Sequence, residues 1–252
     1  MGLFSKKKEN ERLPIPTAAE RVSVFDTDYP LDRSSWFDIY SACIGRCTAV
    51  QDAMSEFVVK NRNWNVDFGA GTLSFGNDAY AMQFIGSESS VSNSYMWGWN
   101  NINHFDERLL ELANEAKALG EKWQLEPLTT DCFSLDETFN GHTVAAVVTG
   151  ISKKNYCYYK GPHANGAVMM AIAPDDPRVF APVGAKETID IIMRVIQNAY
   201  TDHRIMVESF LLWNGTPFDR EGKRIVAHFG QDMLIDYEQA DEFERIKGIK
   251  LV

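Results

Sequence analysis

A chain of 252 residues with 45% hydrophobic and 12% aromatic residues is long enough to bury one large core or two small ones. No apolar run approaches the roughly 20 residues of a membrane-spanning helix, and four cysteines are too few for a disulfide scaffold. The net charge of −10 lies almost wholly in residues 63–152, which hold 12 acidic and 3 basic side chains, so this third is a poor surface for nucleic acid.

The first thirty residues differ in character from the rest of the chain. Residues 1–30 are charged and then interrupted by Pro14, Pro16 and Pro30, which predicts a flexible lead-in. The opening MGLFSKKKENE has a basic cluster but no apolar stretch after it, so we expect no secretory signal and a cytoplasmic location. Residues 31–252 are expected to form a single domain.

A long amphipathic helix is predicted to begin at Ser34 or Ser35 and to end near Lys60, because apolar residues recur at helical spacing between them. Cys43 and Cys47 lie four residues apart in this helix. No nearby His or Cys completes a set of four metal ligands, so we interpret them as small core residues.

The pattern then changes to the period of a strand, and short links join the successive strands, which predicts an antiparallel meander. A helix over 105–120 is predicted to follow it, with Gly120 as its stop. The predicted strands are 64–68, 72–76, 79–86 and 94–100.

Further along the chain, Ser134 and Glu137 match a capping box and predict a helix to about Ile151, although β-branched residues keep a strand possible there. A hairpin is expected around Asn165 and Gly166. The remaining predicted elements are a helix over 185–200, strands over 204–213, 223–230 and 231–237, and a final acidic helix over 238–247.

Strands that follow strands favour an α+β fold, with antiparallel meanders packed against amphipathic helices, over a doubly wound fold. The domain could also consist of two α+β subunits, 31–125 and 126–252. Whether the last strands complete the first sheet or form another stays open.

An aromatic stripe stands out in the predicted strand 94–100. Tyr95, Trp97 and Trp99 share one face, and in the preceding strand Tyr80, Met82 and Phe84 are expected to line up with them. The stripe is either the buried wall of a core or a partly open groove. We favour the core.

Several short patterns come in order and together resemble an uncharacterised family of bacterial cytoplasmic proteins, a domain of unknown function. The resemblance covers roughly residues 35–175 and implies kinship of fold, because the family has no established activity. The patterns are W-x-x-D at Trp64–Asp67, G-x-L-x-F at Gly71–Phe75, Q-x-I-G-S at Gln83–Ser87, W-x-W-x-N at Trp97–Asn101 and CYYKGP at 157–162.

Few residues suggest chemistry. Gln83 either satisfies a buried backbone group or points into a small pocket. His163 could form a nucleophile–base pair with Cys157, although no known signature of a cysteine enzyme surrounds that residue. We predict no metal, no cofactor and no catalytic set. The candidate ligand-binding residues are Gln83, Trp97, Trp99 and His163.

The leading hypothesis is a non-enzymatic cytoplasmic module that binds a basic protein partner through its acidic third, as an immunity protein or a secretion chaperone would. The alternative is a small-ligand-binding protein or enzyme with a pocket between the aromatic sheet face and helix 105–120. Neither nucleic acid nor membrane is expected as a partner. The oligomeric state stays open.

Overall fold

The computed structural model describes residues 21–240 and 243–252, so the features expected of the first twenty residues lie outside the described chain. Within these ranges the chain forms two antiparallel sheets and five α-helices, which confirms the predicted α+β class. The helices are α1 (Trp36–Met54), α2 (Glu111–Trp123), α3 (Gly141–Ile151), α4 (Ala185–Asn198) and α5 (His203–Asn214). The first sheet contains β1 (Trp64–Asp67), β2 (Thr72–Phe75), β3 (Asp78–Ser89), β4 (Ser94–Trp97), β5 (Cys132–Ser134), β6 (Cys157–His163) and β7 (Gly166–Ile172). The second contains β8 (Phe218–Glu221), β9 (Arg224–His228), β10 (Asp232–Ala240) and β11 (Phe243–Leu251).

The first sheet is built on the meander that the short links predicted. Its strands follow the order β1-β2-β3-β4-β5, and β7 pairs with the edge of β3 that β4 leaves free, with β6 beyond it. Asp67 and Gly71 shape the first turn. The Asp67 carboxylate accepts a hydrogen bond from the Ala70 amide at 2.9 Å, and Gly71 has a φ of +73°, which favours glycine. The hairpin of β6 and β7 is also confirmed.

A bulge in β3 decides which way the aromatic side chains point. Phe84 lies opposite Met170 of β7, but the register shifts there, and Gly86 lies opposite Met169. Because the extra residue reverses the alternation, Phe84 packs in one hydrophobic cluster, whereas Trp97, opposite Gly86, packs in the other. The prediction that the aromatic residues of β3 and β4 share one face is therefore wrong.

Two residues of the aromatic stripe belong to the core. Tyr95 and Trp97 are 0% and 1% exposed, which confirms the core interpretation for both. Gly86 makes room for the first, because a Cβ at Gly86 would lie 2.5 Å from the Tyr95 hydroxyl oxygen. Trp99 lies beyond the strand, since β4 ends at Trp97 and Gly98–Asn100 forms a 3-10 turn, and its half-buried ring packs against the edge of the same cluster. The strand predicted over 94–100 is accordingly shorter.

Three of the other helices, α3, α4 and α5, pack around α1. Ser35 begins α1 as predicted, since its hydroxyl accepts a hydrogen bond from the Asp38 amide. On the side of α3, Cys43 fits against Gly150, where an added Cβ would lie 2.6 Å from the Cys43 Cβ. Cys43 and Cys47 are both buried, which confirms that they are core residues.

Residues 204–213 form part of helix α5 and not the predicted strand. Asp202 begins the helix by accepting hydrogen bonds from the amides of Arg204 and Ile205, and Gly215, in a left-handed conformation, ends it. The segment is apolar on both sides because α1 covers one side of the helix and β11 contacts it as well. A helix buried on all sides has no polar face, so hydrophobic periodicity does not distinguish it from a buried strand.

The helix predicted over 238–247 is wrong, because the described residues of this segment belong to two paired strands. β10 and β11 pair antiparallel, and residues 241–242 between them lie outside the described chain. The charges that favour a helix lie across the ladder instead, with Glu238 opposite Arg245. Pairing with β10 overrides the local helical preference. The last strands therefore form a second sheet.

Two other helices begin later than predicted. Ser134 ends β5, so the capping box with Glu137 is wrong. Helix α3 begins after Asn140, whose side chain accepts hydrogen bonds from two amides of the first turn. The helix predicted over 105–120 is displaced toward the C-terminus, because a 3-10 turn precedes α2 and Gln124, in a left-handed conformation, ends it.

The core consists of two hydrophobic clusters, and α1 contributes to both. Leu112 and Ala116 of α2 pack into the second cluster with Trp97, so the remaining sides of α2 face outward. One of those sides forms the wall of a large cleft. No helix in the described ranges is both long and apolar enough to cross a membrane.

Candidate functional site, a cationic cleft beside α2

A cleft of about 930 Å³ opens between α2 and the segment that leads into α1. Its other walls are residues 151–153 and Asn155, at the C-terminal end of α3 and just after it, and Trp213 of α5. Five basic and two acidic side chains line this cationic cleft, in a protein whose net charge is −10. The basic residues are Arg21, Arg33, Arg46, Lys122 and Lys153, and the acidic ones are Asp26 and Glu115.

Arg21 enters the cleft from the lead-in segment and is held by α5. Its Nε donates to the Trp213 carbonyl at 2.7 Å and its Nη1 to the Phe180 carbonyl at 2.6 Å, while the guanidinium lies 4.5 Å from the centroid of the Trp213 ring. Burial, and then the charge of Arg46, lower the pKa of Arg21 to about 10, so it remains protonated at neutral pH. Its Nη2 is buried without a hydrogen-bond partner among the described residues.

Arg46 reaches the cleft from α1. Its terminal nitrogens donate to the Gly150 carbonyl at 3.2 Å and to the Asn155 side-chain oxygen at 3.1 Å. Burial lowers the pKa of Arg46, as expected of a charge removed from water. In the part of the chain that the structure describes, neither Arg46 nor Arg21 pairs with a carboxylate. Two partly desolvated cations thus line one cleft, and the hydrogen-bond partners of both among the described residues are neutral.

The two carboxylates of the cleft do not compensate these charges directly. Glu115 of α2 accepts hydrogen bonds from the Ser152 hydroxyl at 3.0 Å and from the Lys153 amide at 3.3 Å, which hold the segment after α3 in place. Asp26 lies in a 3-10 turn of the lead-in segment and is exposed. The half-buried guanidinium groups therefore keep an excess of positive charge.

The other end of the cleft is aromatic. Trp123 lies eight residues beyond Glu115 on α2, about 12 Å along the helix axis. The Phe25 ring stacks on Trp123, with 5.7 Å between the ring centroids and 23° between the ring planes. Arg33 donates to the Phe25 carbonyl at 3.0 Å and places its guanidinium 6.0 Å from the Trp123 ring centroid. The cleft therefore joins a cationic end to an end with an apolar wall.

The comparisons with known proteins identify a family. The model described as "Family of unknown function (DUF6882)" matches residues 38–175, more than half of the chain. The chain belongs to DUF6882. The expected kinship with a family of unknown function is thereby confirmed. No curated protein and no solved structure matches the chain. Arg46 and α2 lie in the DUF6882 region and Arg21 and Trp213 outside it, so the cleft forms where this region meets its flanking segments.

Gln83, within the DUF6882 region, uses both ends of its side-chain amide inside the protein. Its Nε2 donates to the Arg108 carbonyl at 2.8 Å, and its Oε1 accepts from the Leu112 amide at 2.9 Å. These bonds join β3 to the start of α2. Gln83 thus serves backbone groups, one of the two roles that the sequence left open.

The two candidate tryptophans lie away from the cationic cleft. Trp97 donates from its Nε1 to the Pro127 carbonyl at 3.0 Å. Trp99 is half-buried and stacks on Trp97, with 6.3 Å between their centroids, and the Lys117 Nζ lies 4.5 Å from its ring centroid. Trp97 and Leu112 pack in one cluster between β4 and α2, where the sequence suggested a pocket. The cleft lies on another side of α2.

The fourth candidate, His163, is exposed at the end of β6, where its Nδ1 accepts a hydrogen bond from the Asn165 amide at 3.3 Å. Cys157 lies at the other end of the same strand, about 20 Å away. It is buried, and burial raises the pKa of its thiol. The two residues of the hypothetical nucleophile–base pair are therefore not brought together. In residues 21–240 and 243–252, no three His, Cys, Asp or Glu side chains are grouped as metal ligands.

Sequence reasoning missed Arg21 and Arg46. Arg46 had a detectable signal, because it is the only charged residue between Asp38 and Asp52 in a helix of otherwise apolar and small side chains. An isolated cation in such a helix is rarely buried without a partner. Arg21 had none, since it lies in a segment without hydrophobic periodicity.

Proposed function

We propose that the protein binds a small anionic ligand in the cationic cleft. The observation that supports this best is the pair Arg21 and Arg46, two half-buried guanidinium groups that line the same cleft without a carboxylate partner in the described chain. An anion placed between them would accept hydrogen bonds from both and remove their mutual repulsion.

The energetic argument concerns the cost of burying charge. A cation taken from water into a protein is unfavourable unless it is paired and hydrogen-bonded. The carbonyls of Trp213, Phe180 and Gly150 satisfy individual N–H groups, but they do not neutralise the charge. The Nη2 of Arg21 lacks even that partner among the described residues. Guanidinium groups match the geometry of carboxylate, phosphate and sulfate oxygens, which indicates the class of ligand.

Sulfate is a suitable first probe, because it is a compact divalent anion. We expect sodium sulfate to raise the thermal unfolding midpoint more than sodium chloride at equal ionic strength. A ligand at 100 times its Kd stabilises a protein by about 2.7 kcal/mol, which corresponds to roughly 5 to 10 °C for a chain of this size.

Variants locate the effect. Arg46→Met should remove most of the sulfate-specific shift while keeping a side chain of similar length. Arg108→Met is the matched control, since the Arg108 side chain is 55% exposed and lies outside the cleft. Equal responses to sulfate and chloride in the unmodified protein would refute the proposal, as would an unchanged sulfate response in Arg46→Met.

A second candidate function is the binding of a basic protein partner by the acidic third of the chain. Glu107, Glu111, Glu121 and Glu126, on α2 and the turns that flank it, are exposed, and none forms an ion pair within the described residues. Such a surface attracts cationic partners at low ionic strength. Replacing Glu111, Glu121 and Glu126 by Lys should abolish the capture of a host protein at low salt. If the unmodified protein captures no host protein under these conditions, the result counts against this function.

A further inference from the structure

We infer that the ligand of the cationic cleft is an organic anion with an apolar body, seated with its anionic group at Arg21 and Arg46 and its body along α2 toward Trp123. This inference rests on the anion-binding function proposed above and deepens it. The size of the cleft is the first reason, because about 930 Å³ lies within the range of roughly 300–1,000 Å³ typical of organic ligand sites. A single tetrahedral ion would fill only a small part of it.

The distribution of polar groups is the second reason. Arg46 bonds to Asn155, and Glu115 bonds to Ser152 and to the amide of Lys153, so these groups gather at one end of the cleft. Arg21 lies at the same end, because it donates to the Trp213 carbonyl of α5, and α5 packs on α1 next to Arg46, where a Cβ added at Gly45 would lie 3.1 Å from the Phe210 Cβ. A ligand therefore meets its strongest anion-binding groups at one end of an elongated space.

Apolar surface fills the rest of the cleft and is the third reason. Leu119 lies on the face of α2 between Glu115 and Trp123, one helical turn beyond the first and one before the second. On the opposite wall, Val22 is 37% exposed although it is apolar, and Phe25 stacks on Trp123. Exposed apolar side chains inside a concave site favour an apolar ligand group, which would remove them from water.

The two ends together set the expected ligand length. The distance along α2 from Glu115 to Trp123 is about 12 Å, which matches a ligand with one anionic group and a body of two or three rings. Arg33 lies over the Trp123 ring at the far end, so a flat body there would also meet a guanidinium plane.

Three probes separate the anionic and the apolar contributions. Anilinonaphthalene sulfonate carries both groups, phenylnaphthylamine is the same body without the sulfonate, and sulfate is the anion alone. We expect the first to bind saturably at one site per chain, with an affinity at least about ten-fold higher than that of either of the others, since a hydrogen bond to a charged group contributes about a factor of ten or more. Probe fluorescence and calorimetry at constant ionic strength measure the binding.

Three variants test the orientation. Arg46→Met should lower the affinity for anilinonaphthalene sulfonate by roughly 10- to 100-fold and leave the affinity for phenylnaphthylamine unchanged. Trp123→Ser should lower the affinity for both naphthyl probes and leave the affinity for sulfate unchanged. Because Arg46 has internal hydrogen bonds, the exposed pair Lys122→Gln and Lys153→Gln provides a second test of charge that does not disturb the core. Near-ultraviolet circular dichroism confirms that each variant remains folded, and Arg108→Met is the charge-matched control.

The outcomes distinguish this inference from the function on which it rests. If sulfate binds as tightly as anilinonaphthalene sulfonate and Arg46→Met weakens both, the anion site stands and the apolar body is refuted. If both naphthyl probes bind with equal affinity, and neither Arg46→Met nor the lysine substitutions change that affinity, the site is merely apolar and the inference fails. If neither sulfate nor the sulfonate binds, the proposed function fails as well.

Discussion

Replacement of Gln83 by methionine should lower the free energy of unfolding by about 2 kcal/mol without affecting ligand binding in the cationic cleft. The substitution keeps the length of the side chain and removes two hydrogen bonds, 2.8 Å to the Arg108 carbonyl and 2.9 Å from the Leu112 amide. Each such bond contributes about 1 kcal/mol net. The bond to Arg108 is more exposed, so water can replace part of it, whereas the loss at Leu112 leaves an amide near the start of α2 without its acceptor.

Urea unfolding followed by circular dichroism measures this change, and thermal unfolding should show a midpoint lower by roughly 4 to 8 °C. The free energy of unfolding of Gln83→Glu should lie between those of the unmodified protein and Gln83→Met, because the glutamate keeps an acceptor beside the positive end of the α2 dipole and loses the donor. Gln197→Met on the exposed side of α4 is the matched control and should change stability by less than about 0.5 kcal/mol. If Gln83→Met is as stable as that control, the amide does not hold β3 to α2 as described.

Two further predictions concern packing and pH. Gly150→Ala should destabilise the protein by about 1–3 kcal/mol despite its better helix propensity, because the new methyl group overlaps Cys43, and Cys43→Gly in the same chain should restore part of the loss in urea unfolding. If the stability of Gly150→Ala is unchanged, α1 and α3 can move apart to accommodate the methyl group at no cost, which would contradict this account of their packing. His228 lies 2.7 Å from Asp232 and 3.1 Å from Asp219, and these contacts raise its pKa. Its stabilising effect should be complete below the ordinary pKa of about 6.5 and disappear as the pH rises through the raised pKa; thermal midpoints between pH 5.5 and 9 should show this slope, and a His228→Gln protein that keeps it would contradict the assignment.

The elements predicted correctly are those with local physical signals. Ser35 caps α1 through its own side chain, and Asp67 and Gly71 shape a turn within five residues, so both are readable without knowledge of the fold. The error at residues 204–213 arose because the deciding partner is distant in sequence. The α5 segment is buried by α1, some 160 residues earlier in the chain, as the bond between the Asp202 amide and the Ser41 hydroxyl shows.

The candidate site shows the same division. The sequence left two roles open for Gln83, a backbone contact or a small pocket, and only the approach of α2 reveals that its amide bonds to the backbone at Arg108 and Leu112. His163 and the two tryptophans were chosen for their chemistry, and the structure places them outside the cationic cleft. Their assignment as ligand-binding residues stays a prediction.

The sequence by itself determined the α+β class, the antiparallel meander, the start of α1 and the excess of acidic charge in the middle third, because periodicity, caps, turns and composition act over a few residues. Only the tertiary structure decided that a bulge in β3 divides the aromatic residues between two clusters and that Arg21 and Arg46 line one cleft. The register of a sheet and the walls of a cleft depend on contacts between distant segments. Local preferences do not contain that information.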